Sequence, residues 1–186
     1  MSFLGIRVNP DVARLLSGIE VPGDKCDVSS LHITLAFFED NTPITKISKI
    51  LESTYEIIHN FKPFLVTSNQ ISSFDPPDDK PYPVIAKVNS KELHNLNSQI
   101  KEQFDKNDIE YSKKFKDYKP HITLSYSKEK PEDFEIDEVD FYVHELVLYA
   151  GKNGDDRLSV IFPLKSPEKK KNACLEAKIN LMFNFV

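Results

Sequence analysis

The chain has 186 residues, 40% hydrophobic and 28% charged, with a formal net charge of −5 at pH 7. That is enough apolar material for one sizeable core and short for two, and the acidic balance excludes the basic stripe that tracks a long duplex. There is no run of 18 apolar residues, no leader-like N-terminus in MSFLGIRVNP, and two cysteines, Cys26 and Cys174, far apart; a cytoplasmic chain with free thiols and no membrane span is expected, one long-range disulfide being the alternative.

In chain order, residues 2–8 read as a short apolar strand ended by Asn9-Pro10, and Asp11 to Ser17 as a short helix closed by Gly18. A loop through Pro22-Gly23-Asp24 leads to LHITLAFF, whose β-branched and aromatic content predicts a strand. Residues 43–60 place Ile44, Ile47, Ile50, Leu51, Tyr55 and Ile58 at helical spacing, with Thr42-Pro43 as the start. Strands are expected over 64–74 and 83–89, split by DPPDDKPYP, then a helix over 91–105 with Leu93, Leu96, Ile100 and Phe104 on one stripe. HITLSYS is the next strand, preceded by the basic cluster Lys113, Lys114, Lys116 and Lys119. The run Glu129 to Asp140 reads as exposed charge, and two closing strands, 139–150 and 157–164, flank the hairpin loop Gly-Lys-Asn-Gly-Asp-Asp. The folded domain is expected to span 1–165. The tail, 166–186, ends in INLMFNFV, which fits strand alternation and a helical stripe equally; a lid or docking segment is its expected role.

Two of these strands carry the same tetrapeptide, LHITL at 31–35 and PHITL at 120–124. Random placement of the chain's five His and six Thr yields roughly 0.16 His-x-Thr pairs, so composition does not account for two. Alternation on a strand puts His32 and Thr34 on one face and Ile33 and Leu35 on the other, and likewise His121 and Thr123 against Ile122 and Leu124. On strict alternation the small Ala36 and Ser125 come next on the polar face and leave room for a ligand. Two imidazoles divide acid and base work near neutral pH, and two hydroxyls donate to phosphate oxygens, which suits in-line attack at a phosphodiester. Neither motif is His-x-His and no acidic residue lies within two positions of either histidine, so no metal ligand set and no cofactor is expected. His59, His94 and His144 stand outside any such motif and read as structural. Tyr118, Tyr126 and Phe38 either stack on a base near the site or pack at its core and rim; Lys119 and its basic neighbours either draw in phosphate or form a solvated loop.

These two motifs, each His-x-Thr followed by an apolar residue, resemble the signature of the 2H phosphoesterase superfamily, the LigT-like proteins, over roughly residues 2 to 165. Members of that superfamily include 2′-5′ RNA ligases, RNA 2′,3′-cyclic phosphodiesterases, nucleotide-binding domains of some kinase-anchoring proteins, and viral enzymes that destroy cyclic or 2′-5′-linked oligonucleotide signals. The resemblance implies an α+β, bilobal fold: two antiparallel sheets with outer helices and a central cleft holding the site. It implies His32, Thr34, His121 and Thr123 as the catalytic four, acting without metal on a nucleotide or short oligonucleotide, most simply a 2′,3′-cyclic phosphate. The chain departs from the frequent Arg-Pro-His by reading Lys119-Pro120-His121, which keeps the charge and loses the bidentate fork. Substrate contacts are expected from Lys119, Tyr118, Tyr126 and Phe38, and the chain is expected to act as a monomer. Cleavage of cyclic or 2′-5′ oligoadenylate signals, and nucleotide binding without turnover, remain alternatives at this point.

Overall fold

Three amphipathic helices and a run of short strands call for a layered arrangement in which the helices cover one sheet face. The computed structural model describes residues 2–38, 44–76, 80–114, 117–150 and 158–165. Along the chain these form β1 (Ser2–Arg7), α1 (Pro10–Gly18), β2 (Asp24–Lys25), a 3-10 turn (Val28–Ser30), β3 (His32–Phe38), α2 (Ile44–Ile58), β4 (Phe64–Ser73), β5 (Tyr82–Lys87), α3 (Lys91–Lys106), β6 (His121–Ser127), β7 (Phe134–Val143), β8 (Glu145–Ala150) and β9 (Leu158–Pro163). Thr42-Pro43, Lys116, the 151–156 loop, Cys174 and the tail lie outside the described residues.

Local chemistry explains the helix ends. Pro10, which has no N–H to leave orphaned, opens α1, and the Asn9 side chain accepts the Asp11 N–H at 2.9 Å. The Ser90 hydroxyl accepts the Leu93 N–H at the start of α3. The α3 stripe is as the spacing predicts: Leu93, Leu96, Ile100 and Phe104 are all buried, and they pack with Ile47, Ile50 and Ile57 of α2 and with Ile33 and Ile122 of the sheet in one core.

The sheet runs β7-β4-β5-β6-β3-β1-β8-β9, antiparallel throughout, with β2 attached to the far end of β6. Its two four-stranded halves meet at β3 and β6 through a single registered pair, Ile33 opposite Ile122. The fold is thus α+β with two lobes, although the strands are continuous across this narrow seam rather than split into two separate sheets. One extended run that looks like a single strand over 139–150 is two: β7 ends at Val143, pairs with β4 in one half, and the chain turns at His144 into β8, which pairs with β1 in the other. A chain that passes from one half of a sheet to the other at a corner has no interruption in its residue pattern to betray the change. The acidic run is exposed charge, as expected: Glu135, Asp137, Glu138 and Asp140 lie exposed on β7, an outermost strand, where charge blunts edge-to-edge pairing.

Both motif strands carry a β-bulge, and at the same place. Leu4 pairs with Ala36 but Gly5 with Thr34, so Leu35 is the extra residue of β3; Val84 pairs with Ser125 but Ile85 with Thr123, so Leu124 is the extra residue of β6. An extra residue reverses the alternation beyond it. The strands therefore share a burial sequence in which the fourth and fifth residues are both buried. Ala36 and Ser125 consequently turn into the protein, not onto the motif face, and Phe37 and Tyr126 take the places expected for them. The Asn97 amide of α3, itself 2% exposed, donates to the Leu35 carbonyl at 2.8 Å, which satisfies an acceptor that the bulge removes from the ladder. Asn97→Ala is expected to cost about 1–3 kcal/mol, because it strands that buried carbonyl; urea unfolding of the variant checks it, and an unchanged midpoint would mean that water replaces the amide.

Candidate active site

The seam sets the site. With Ile33 opposite Ile122 in antiparallel sense, His32 lies across from Thr123 and Thr34 across from His121. A local two-fold axis through the isoleucine pair therefore exchanges the two motifs. Each histidine sits diagonally from the other, at a spacing of about 7–8 Å for such positions, with a threonine at each remaining corner. All four are half-buried on the face opposite the helices.

The symmetry extends to the imidazoles. His32 Nδ1 lies 2.7 Å from the Ser30 carbonyl oxygen and His121 Nδ1 lies 2.7 Å from the Lys119 carbonyl oxygen. A carbonyl only accepts, so both Nδ1 atoms carry hydrogen and the lone pair of each neutral ring is on Nε2. A ring backs each histidine, differently in the two copies: Phe3 stacks on His32 at 4.4 Å and 24°, whereas Phe74 meets His121 edge-on at 4.9 Å and 84°. Burial holds the His121 pKa below the usual 6.5, the Lys119 carbonyl opposes this, and a positive charge on His32 lowers it further. The site thus favours a neutral His121, the state from which a base starts.

One strand further out on each side stands a cation that the sequence alone does not single out. Arg7 pairs with His32 across β1, and Lys87 pairs with His121 across β5, so both share the motif face. Lys87 Nζ reaches Gln70 Oε1 at 3.1 Å and Asp133 Oδ2 at 3.3 Å, and the Ser72 hydroxyl donates to Asp133 Oδ1 at 2.7 Å. That hydroxyl, with Lys87 behind it, holds the Asp133 carboxyl below its ordinary range. Arg7 Nε instead donates to the Tyr149 hydroxyl at 3.2 Å. Gly5, opposite Thr34, keeps the backbone close: a Cβ there would come 2.6 Å from the Ile33 carbonyl oxygen. Arg7, Lys87 and Phe3 become site residues through strand pairing, for which the sequence offers no local mark.

Of the expected substrate contacts, the structure brings one aromatic to the motif face. Tyr126 stands there 49% exposed, opposite Pro83, with its phenol pushed up by burial and by neighbouring Cys26. Phe38 does not: the bulge turns it inward, 5% exposed, against Phe104 of α3. Phe37, half-buried beside Phe3, is the phenylalanine that shares the motif face instead. Tyr118 belongs to the helix side, where it packs against His94 and under Lys101, its phenol pushed up strongly by burial. Lys119 is exposed and serves the site through its backbone carbonyl; Lys113 of the basic cluster pairs with Asp105. His59 packs on Tyr55, and His144 lies near Tyr142 at the corner. Among the described residues, no group of three or more His, Cys, Asp and Glu side chains is placed to hold a metal ion, and no helix is long and apolar enough to cross a membrane.

A family model of the 2′-5′ RNA ligase superfamily matches residues 23–155, which include both motifs. No curated protein sequence matches the chain. Among solved structures, TT0787 of Thermus thermophilus is similar with a TM-score of 0.71 at 16% identity, covering 90% of this chain and 100% of that one. A crystallised phosphoesterase reaches 0.62 at 18% identity over 88% and 94%. Escherichia coli LigT, crystallised with ATP, reaches 0.56 at 16% identity over 88% and 93%. At these identities the likeness is one of fold.

Proposed function

The chain belongs to the 2′-5′ RNA ligase superfamily, and on that premise we propose that residues 1–165 form a metal-independent phosphodiesterase acting on a nucleotide or short oligonucleotide, most simply a 2′,3′-cyclic phosphate. The observation that carries this reading is the matched pair of imidazoles with the same tautomer, each held by the carbonyl two residues before it. LigT, of the same fold, has been crystallised with ATP and with 3′-AMP, which supports a nucleotide as the ligand.

In the proposed reaction Thr34 and Thr123 donate to the non-bridging phosphate oxygens, where charge builds in the transition state. Neutral His121 takes a proton from water through Nε2 as the water oxygen bonds to phosphorus. His32, charged, gives its Nε2 proton to the ribose oxygen as the P–O bond breaks. The protons then reside on His121 and the new hydroxyl, and exchange with solvent restores the start. The lowered pKa of His121 fits the base, and the acid's part then falls to the other imidazole of the pair, His32.

The test is to incubate the purified protein in EDTA with 2′,3′-cyclic nucleotides, cyclic dinucleotides and 2′-5′ oligoadenylate, with His32→Ala and His121→Ala alongside. Turnover abolished in both variants is expected, and the substrate consumed names the linkage. Retained nucleotide binding without turnover of any substrate would overturn the enzymatic reading in favour of a binding module.

A further inference from the structure

We propose that Arg7 forms an anion subsite beside His32, which takes a phosphate of the substrate other than the one being cleaved. The inference rests on the catalytic reading and deepens it: the preferred substrate is a nucleotide or short oligonucleotide carrying a second phosphate, not a nucleoside cyclic phosphate alone.

The local two-fold axis makes Arg7 and Lys87 equivalent positions, yet their surroundings differ. Lys87 is occupied, its ammonium held by the Asp133 carboxylate and the Gln70 carbonyl oxygen. Some other described cations are also paired, Arg14 with Asp11, Lys46 with Glu110 and Lys130 with Asp75, while exposed lysines away from the motif face, such as Lys62 and Lys91, are not. Arg7 is not: among the described residues no carboxylate pairs with it, and its one hydrogen bond is from Nε to the Tyr149 hydroxyl. That bond engages one edge of the guanidinium and leaves the Nη donors for a ligand, the fork that matches two phosphate oxygens. In a chain of net charge −5, an exposed arginine directly across from the proposed acid is a local reversal of sign. Its neighbours on this face are aromatic, since Phe3 pairs with Phe37 on one side and Tyr149 on the other. A phosphate at Arg7 therefore abuts the half-buried rings of Phe37 and Tyr149, backed by buried Phe3, against which a base or ribose can lie, whereas the Lys87–Asp133–Gln70 side, its charge already balanced, presents mixed donors and acceptors to neutral groups.

The experiment compares adenosine 2′,3′-cyclic phosphate with its 5′-phosphorylated form, and the corresponding adenylyl-adenosine pair, on the unaltered protein, Arg7→Met, Arg7→Lys and Lys119→Met. On the unaltered protein the added phosphate is expected to raise kcat/KM by about tenfold or more, mainly through KM, and the advantage should shrink as salt rises. Arg7→Met should reduce the ratio to about one, and Arg7→Lys should keep part of it because charge survives without the fork. Equal turnover of both members of each pair by the unaltered protein would overturn the inference and leave the catalytic reading standing. So would a preference that survives Arg7→Met or is lost instead in Lys119→Met. Dissociation constants for the same pairs read the subsite without turnover. A protein that cleaves nothing, yet binds the phosphorylated member tenfold tighter through Arg7, keeps the subsite and loses the enzyme; one that binds neither loses both.

Discussion

His121→Ala is expected to lower kcat by about 10²–10⁴-fold, the usual worth of a positioned general base, with little change in the urea midpoint at pH 7.5. The residue is on a strand whose buried members, Ile122 and Leu124, stay in place, so the loss is chemical and not structural. The pH dependence identifies the group. Burial and the charge on His32 hold the His121 pKa below 6.5, so kcat/KM should persist below pH 6.5 and fall as pH drops through the lowered value. The same shift has a stability sign. Between the two pKa values the unfolded chain holds a proton that the native site does not, so this contribution is complete above about pH 6.5 and is lost as pH falls to the native value. In His121→Ala both the acid limb of the rate profile and this part of the stability slope should vanish. An acid limb that persists unchanged in the variant's residual activity would remove His121 from the base's role.

Phe104→Ala should destabilise the protein by about 3–5 kcal/mol. The ring is fully buried on α3 and lies between Phe38 of the first motif strand and Tyr111, at centroid distances of 5.7 and 6.0 Å. Removing it opens a cavity between helix and sheet at the point where the bulge directs Phe38 inward. For a chain of this size the loss corresponds to a fall in Tm of about 6–20 °C, read by calorimetry or far-UV circular dichroism. Phe104→Leu, which refills part of the volume, should fall by less. A midpoint unmoved by alanine would show that Phe38 is not anchored there, and with it the account of the paired bulges would fail.

How far the sequence carried depends on whether a property is local. The helix stripes, the motif strands and the companionship of His32, Thr34, His121 and Thr123 follow from spacing within single elements, and the structure places those four together. The bulges do not follow: an extra residue in a strand leaves no mark in an apolar run such as ITLAFF, and it reverses everything after it. Phe38 and Phe37 changed places for that reason, and Tyr126 reached the motif face by the same slip in the second copy. Arg7, Lys87 and Phe3 became visible through pairing partners more than 20 residues away in sequence. Tyr118 looked close to the second histidine because it is three residues from it, but Pro120 is buried between them and the tyrosine packs on α3. The corner at His144 is hidden because an extended chain can pass from one half of the sheet to the other without a glycine or a proline to announce it.

The seam has a consequence for how such a site can originate. His32 and His121, their carbonyl partners, the threonines, the extra leucines and the cations one strand out all exchange under one axis through Ile33 and Ile122. A half-molecule bearing one such strand would complete the site by pairing with its own copy along that edge. A duplicated and fused half keeps the pairing while freeing each copy to diverge. The two sides of the motif face differ in just this way, with an arginine among aromatics at one and a lysine balanced by aspartate at the other. The axis relates the groups at the centre, and what it does not relate is the difference by which a ligand could tell one end from the other.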